Sequence, residues 1–301
     1  ANLKKIFFKS TYLDINNLGL LKKEISKIKP SIIFHMAAQP LVINSYKFPL
    51  KTIKTNVLGT ANILEICKNL KSLKTILVIT TDKVYKNLNN KKFFNEQDEL
   101  GGDDIYSYSK ASVEILVNAY KKSFFGKKIN IATARAGNVI GGGDWSEFRI
   151  IPDFIRAYIS KKIFIIRNPN HVRPWQHVMD CLFGYILLAE NVSTSRKLLN
   201  SLSYNFGPSS KQSLSVIKIV NLMLKNIDYK MKIKIKKNKK FSEKKFLLLK
   251  SKKAEKKLKW KNKIQANESL NLTLDWYKEY YNKKNMYEYT CKQIQKYILK
   301  K

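Results

Sequence analysis

Three apolar runs constrain this chain more than anything else in it: "SIIFHMAA" at 31–38, "TILVITT" at 75–81 and "INIATARA" at 129–136. Each is too continuous for a strand with one wet face, so all three read as strands buried on both faces. Residues 48–69 and 105–124, between them, read as helices. Parallel strands need crossovers of this length, and the pattern predicts βαβαβ: a doubly wound parallel sheet with helices on both faces. Ligands bind such sheets outside the carboxyl ends of the strands. Polar residues gather there: His35 with Gln39, Thr80 to Lys83, and Asn138.

Beyond Gly137 the pattern changes. Gly141, Gly142 and Gly143, three of the eleven glycines, fall together in "GNVIGGGDW" (137–145), as in a loop whose backbone approaches something closely. "IIPDFIRAYI" then reads as a helix, "KIFIIRNP" as a strand, "VMDCLFGYILLAE" as an apolar helix and "SYNFGP" as a strand ending in a turn. "LSVIKIVNLML" is helical, "KMKIKIK" an alternating strand, and 252–259 and 266–281 are helical. We expect a Rossmann-type domain from 1–140 and 175–205, and a smaller α/β substrate-binding lobe from 141–174 and 206–301.

The 301 residues suffice for a full-sized core. No apolar run approaches the roughly 20 residues that cross a bilayer, and the N-terminus lacks the long apolar stretch of a secretory signal. Cys67, Cys181 and Cys291 are odd in number and far apart, as expected of reduced thiols in a cytoplasmic protein. His171 and His177 have no partner at metal spacing, so no metal is expected. The net charge of +36 suits a polyanion partner, but its distribution argues against nucleic acid. Residues 229–263 hold seventeen lysines and two glutamates, lysine is spread over polar positions elsewhere, and no nucleic-acid-binding motif is present.

Against 52 lysines the chain has 6 arginines, five of them Arg135, Arg149, Arg156, Arg167 and Arg173. Arginine is hard to replace where a planar fork must hold a phosphate or carboxylate. The 135–173 window is therefore the first candidate for anion recognition, with Arg135, at a strand end, expected to be structural.

"YSYSK" places Tyr106 and Lys110 four apart, on one face of a helix. A free phenol ionises near pH ~10, and an adjacent ammonium would make Tyr106 usable as a base at neutral pH. The preceding "ITTDKVY" packs two hydroxyls, a carboxylate, an ammonium and a phenol together; if the strand continues, Asp82 and Lys83 face opposite ways.

"HMAAQP", "TNVLGT", "TTDKVY", "YSYSK", "ARAGNVIGGGDW" and "RPWQHV", in that order and spacing, resemble the extended short-chain dehydrogenases/reductases, the NAD-dependent sugar-nucleotide epimerases and dehydratases. Within it, "AAQPLV", "LGGDDIYSYSKAS" and "IRNP" are most similar to the branch that dehydrates CDP-glucose. The resemblance implies a 4,6-dehydratase that oxidises C4, eliminates water across C5 and C6 and returns the hydride to C6, for deoxysugar and O-antigen-type polysaccharide biosynthesis. It implies NAD as cofactor, CDP-glucose as substrate, and a homodimer packed through 48–69 and 105–124. Tyr106, helped by Lys110, would take the O4 proton; Thr81 would hold O4, Asp82 protonate the C6 oxygen, and Lys83 remove the C5 proton. A lysine base must be desolvated or lie beside another cation. Asp14, Ile15, Ala37, Ala38, Gln39, Asn56 and Thr80 would contact or anchor the cofactor site together with Tyr106 and Lys110. Asn138, Arg149, Arg167 and Arg173 would hold the substrate's diphosphate and nucleotide.

In one respect the chain departs from that family. No Gly-rich turn for the cofactor pyrophosphate occurs, and the first glycine is Gly19. The chain opens at what resembles the family's third strand, "KKIFFKS", so one βαβ unit is expected to be missing, leaving NAD binding weak and a sheet edge open. A non-catalytic remnant, or a related enzyme with another nucleotide, is the alternative. An epimerase needs no acid and base after Thr81, and a GDP-mannose enzyme would carry Glu after the hydroxyl residue, so "TDK" favours the CDP-glucose branch.

Overall fold

In the computed structural model of the chain, residues 6–126, 128–194, 203–209, 212–228, 230–236 and 243–300 are described. Helix α1 (Leu18–Ile28) precedes strand β1 (Ile32–His35); α2 (Val42–Lys47) and α3 (Pro49–Ile53) lead through a π turn into α4 (Gly59–Cys67). Then come β2 (Thr75–Ile79), α5 (Ile105–Tyr120), β3 (Asn130–Ala136), β4 (Val139–Ile140), α6 (Ile150–Ile159), β5 (Phe164–Ile166), β6 (Val172–Pro174), β7 (Gln176–His177) and α7 (Val178–Thr194). The chain continues with β8 (Ser203–Phe206), β9 (Ser213–Ser215), α8 (Val216–Leu224), β10 (Ile233–Ile235), α9 (Lys252–Leu258), α10 (Ala266–Tyr281) and α11 (Met286–Leu299).

The main sheet has the order β1-β2-β3-β8 and is parallel throughout. Because side chains alternate across a strand, Ile76, Val78 and Ile131 pack beneath α4 and α5 with Leu64, Val113 and Val117. Leu77, Ala132, Ala134 and Ala136 face the other way, toward Tyr185, Leu188 and Val192 of α7. Both faces are covered, as the uninterrupted apolar runs require. A second core joins α6, β5, α8 and α10 through Phe154, Phe164, Ile219, Met223, Leu270 and Tyr277.

Beneath α5 the sheet carries a buried polar cluster. Arg135 Nε and Nη2 donate to Glu114 Oε1 and Oε2, each at 2.9 Å, while Thr80, Thr133 and Ser203 hydroxyls donate to the same carboxylate. Every lone pair of Glu114 has a partner in this arrangement, which is what a buried ion pair needs to be tolerated. Arg135 is thus structural, as its strand-end position implies.

Three expectations need correction. Ile6 to Ser10 of "KKIFFKS" form no strand, and residues 4 and 5 lie outside the described residues. A strand needs a ladder, and no described strand pairs with this segment; Phe8 is 98% exposed. Residues 254–260, assigned above to the second lobe, instead pack on the main sheet: Ala254, Leu258 and Trp260 meet Tyr204, Phe206 and Cys181. The reason is size, since Gly184 of α7 leaves room for Phe206 and the Trp260 indole, which donates to Asp180 O. Third, α11 was not anticipated, because its buried face, Met286, Gln293 and Tyr297, is too polar to give a clear period.

Candidate active site

β2 ends at Ile79, and the chain does not continue as a strand through "TTDKVY". Asp82–Val84 form a 3₁₀ turn whose cap, Thr81, accepts from Lys83 N. Asp82 and Lys83 therefore both line one cavity of about 400 Å³ instead of opposing faces. Tyr85 turns away into the core, stacked on Phe94 with ring centroids 4.9 Å apart. The hydroxyl of Thr80 is engaged by Glu114 and that of Thr81 by Asp82 Oδ1 at 3.1 Å.

Asp82 is 3% exposed, and its Oδ2 is buried without a hydrogen-bond partner. Burial pushes its carboxyl up, against the opposing pull of Lys83, Thr81 and Arg173, so the neutral acid is favoured. Gly137 keeps this pocket open, since a Cβ there would lie 2.4 Å from Pro174 Cγ and 3.2 Å from Asp82 Oδ2.

Tyr106 and Lys110 project from the first turns of α5, whose start is fixed by Asp104: it accepts from Ser107 N at 2.9 Å and from the Ser107 hydroxyl at 2.7 Å. Tyr106 is hydrogen-bonded with Thr81, and burial pushes its phenol up to about 12. Lys110, expected to help it, donates to Ile79 O at 2.9 Å. Burial brings Lys110 down to about 8, opposed by Glu114. Gly102 packs its α-carbon against the α5 backbone, where a Cβ would lie 2.5 Å from Tyr108 N. Gly102→Ala is accordingly expected to destabilise the fold by about 1–3 kcal/mol, read as a lowered urea midpoint.

Across the cavity lie Asn138, Arg149, Arg167 and Arg173. Arg149 Nε is buried with no acceptor, and Asp144 Oδ2 is 3.6 Å away. Arg167 donates to Phe148 O and lies over the Phe148 ring at 5.3 Å. Arg173 is more engaged than its motif suggests, donating to Val172 O, Lys245 O and His171 Nδ1. Arg156 does not line the cavity; it ties Trp145 O and Ser146 O to α6. The glycine cluster has a packing role as well: a Cβ on Gly142 would sit 2.0 Å from Trp276 Cγ, and one on Gly141 2.6 Å from Val178 Cγ1.

Of the residues assigned to the cofactor, Thr80 and Tyr106 line this cavity, and the others are not among its lining residues. Asn56 clamps the segment after β1 to α5, accepting from Gln39 N at 2.7 Å and donating to Gln39 O and Ser109 Oγ. Ile15 packs on Gly59, and Asp14 accepts from Asn16. Ala37 is exposed and Ala38 half-buried beyond the end of β1. His35 is buried and bonded to Thr60 at 2.8 Å, a structural role. Among the described residues the Lys110 ammonium has one acceptor, Ile79 O, for its three N–H groups, leaving donors a dinucleotide could use beside the Tyr106 helix turn.

Glu243 was not among the residues singled out from the sequence, and His171 was weighed only as a metal ligand; both line the cavity. Glu243 Oε2 lies 3.5 Å from Arg173 and 4.0 Å from His171. Burial alone would raise its carboxyl, but Lys83, Arg173, His171 and Arg167 together hold it below the usual value. A signal was available: Glu243 is one of two acids among seventeen lysines.

Known proteins resemble this arrangement. A family model described as GDP-mannose 4,6 dehydratase matches residues 2–273. A CDP-glucose 4,6-dehydratase of Salmonella typhimurium is 42% identical over 217 residues, 70% of this chain and 60% of that protein. A dTDP-D-glucose 4,6-dehydratase of Dictyostelium discoideum is 34% identical over 197 residues, 62% of this chain and 44% of its own. The chain thus spans well under two thirds of the length of these relatives. Among solved structures, a UDP-glucuronic acid 4-epimerase of Bacillus cereus, in complex with UDP-glucuronic acid and NAD, superposes with a TM-score of 0.80 at 21% identity, over 92% of this chain and 85% of that one. A dTDP-glucose 4,6-dehydratase of Bacillus anthracis in complex with NAD gives 0.77 at 22% identity, over 92% and 83%. These likenesses establish the Rossmann-type fold, and the family model, which matches most of the chain, shows that it belongs to the GDP-mannose 4,6 dehydratase family.

Proposed function

We propose that this chain carries the catalytic apparatus of a sugar-nucleotide 4,6-dehydratase acting on CDP-glucose. The observation that supports elimination over epimerisation is Asp82, a buried acid with an unpartnered oxygen beside Thr81 and Tyr106. An epimerase has no use for a proton donor there. The nucleotide is assigned from the Salmonella relative, named as a CDP-glucose enzyme.

Arg149 and Arg167, with Asn138, would bind the diphosphate and nucleotide, the unpartnered Arg149 Nε being the donor most ready for an anion. Thr81 and Tyr106 would hold O4, with Tyr106 taking its proton. Its phenol must first be brought down from about 12, and the nearest source of positive charge on its own helix face is Lys110. Asp82 would then protonate the departing C6 hydroxyl. Asp14, Ile15, Ala37, Ala38, Gln39, Asn56, Thr80, Tyr106 and Lys110 would form or support a site for NAD, which would supply reversible hydride transfer there. A homodimer through α3, α4 and α5 is supported by the exposed Phe48, Leu50, Leu58, Tyr108, Ile115 and Phe124.

The test is mass spectrometry of CDP-glucose, dTDP-glucose and UDP-glucose, each incubated with the chain and NAD⁺. Loss of one water from CDP-glucose in preference to the others is expected. Dehydration of another nucleotide instead would reassign the substrate, and no dehydration of any would overturn the reading.

A further inference from the structure

If the site eliminates water, which this inference takes from the proposed function, some group must remove the C5 proton. The cavity offers four carboxylates: Asp82, Asp144, Asp153 and Glu243. Asp82 is buried with Oδ2 unpartnered and is assigned to the C6 oxygen as acid. Asp144 faces Arg149 at 3.6 Å, and Asp153 is paired with Arg156 and lies 3.5 Å from Arg167. Glu243 is singled out by its place beside Lys83: its side chain is 33% exposed, with Oε2 3.5 Å from Arg173. It shares with Lys83 the lining of the main cavity and of a second one of about 30 Å³, reached also by Asp104 and Ser107.

Lys83 is poorly suited to be the base. It is half-buried, not desolvated, and its ammonium has no hydrogen-bond or ion-pair partner among the described residues. An unpaired ammonium on a cavity wall is instead suited to stabilise an anion.

We propose that Glu243 takes the C5 proton and that the Lys83 ammonium stabilises the enolate oxygen that forms at C4. The C5–H bond breaks, its proton passes to a Glu243 carboxylate oxygen, and its electron pair moves to the C4 carbonyl oxygen opposite Lys83. As the C4 carbonyl re-forms, the pair becomes the C5–C6 double bond and the C6–O bond breaks. The leaving hydroxyl takes the Asp82 proton and departs as water. Charged groups around Glu243 are Lys83 and Asp82 from the 3₁₀ turn, Arg167 after β5, Arg173 of β6 with His171 before it, and Lys244 and Lys245 on its own segment.

The test uses the keto product, CDP-4-keto-6-deoxyglucose, in D₂O, following deuterium entry at C5 by NMR. This proton transfer needs no hydride movement, so it reads the base alone. The intact chain is expected to catalyse exchange, and Glu243→Gln to slow it by about 10²–10⁴-fold, with Glu243→Asp retaining part of the rate. Lys83→Arg keeps the charge but cannot act as a base, and is expected to keep most of the exchange. Unchanged melting temperatures and CDP binding would show the variants folded. Full exchange in Glu243→Gln, or its loss in Lys83→Arg, overturns the assignment while leaving the dehydratase reading intact. An intact chain that neither dehydrates CDP-glucose nor exchanges C5 overturns both.

Discussion

Asp82→Asn is expected to lower dehydration of CDP-glucose by about 10²–10⁴-fold, the usual contribution of a positioned acid, while C5 exchange in the keto product persists. The variant removes the proton delivered to the C6 oxygen but not the group that opens C5. Its pH dependence has a definite sign. Burial raises the Asp82 carboxyl, so the acid form persists above the range where a free Asp ionises. The rate should be full below the raised pKa and fall as pH climbs through it, and in Asp82→Asn that basic limb should vanish. Folding stability follows the same direction, because the native state holds this proton more tightly than the unfolded chain. Stability drops between the ordinary carboxylate value and the raised one, and Asp82→Asn should flatten the drop. A limb that survives the substitution would assign it to another group.

The largest effect on stability is expected from Arg135→Met. It leaves Glu114 charged in the core, with side-chain exposures of 4% and 2% for the two partners. Breaking such a pair from one side costs about 3–5 kcal/mol, read as a lowered urea midpoint at constant slope. Replacing both partners, Glu114→Leu with Arg135→Met, should recover much of that loss, since an apolar pair carries no desolvation penalty. If the double variant is no more stable than the single, the hydroxyls of Thr80, Thr133 and Ser203, stripped of their acceptor, are the larger cost.

The sheet was legible because strands buried on both faces have no polar residues to interrupt them. Ile76, Leu77 and Val78 alternate between two cores, and the sequence needs no period to say so. Arg135 was legible as structural from its strand-end position, and its planar fork holds Glu114; Arg149 and Arg167 line the cavity. The turn at Asp82 was not legible: a Thr that caps and a Thr that continues a strand look alike, and only the Lys83 N–H bonding back to Thr81 decides it. Glu243 stood out only as an acid among lysines, and its place at the cavity was not legible. It is brought to the cavity by the bridges Phe246 makes to Val172 and Leu249 makes to Phe94, contacts between segments far apart in sequence that no local pattern encodes. The same holds for Trp260, whose surroundings are set by Gly184 and Phe206.

That packing has a consequence for the order in which the protein is made. The apolar face formed by Tyr204 and Phe206 is closed by Ala254, Leu258 and Trp260, which leave the ribosome some 50 residues later, about 3–10 s at ordinary elongation rates. During that interval the nascent sheet carries an incompletely covered face, the condition under which chaperones bind and neighbouring chains on one message stick together. Slowing translation across the lysine-rich stretch would lengthen the exposure, so the yield of soluble protein should depend on codon choice there more than on codon choice in the strands themselves.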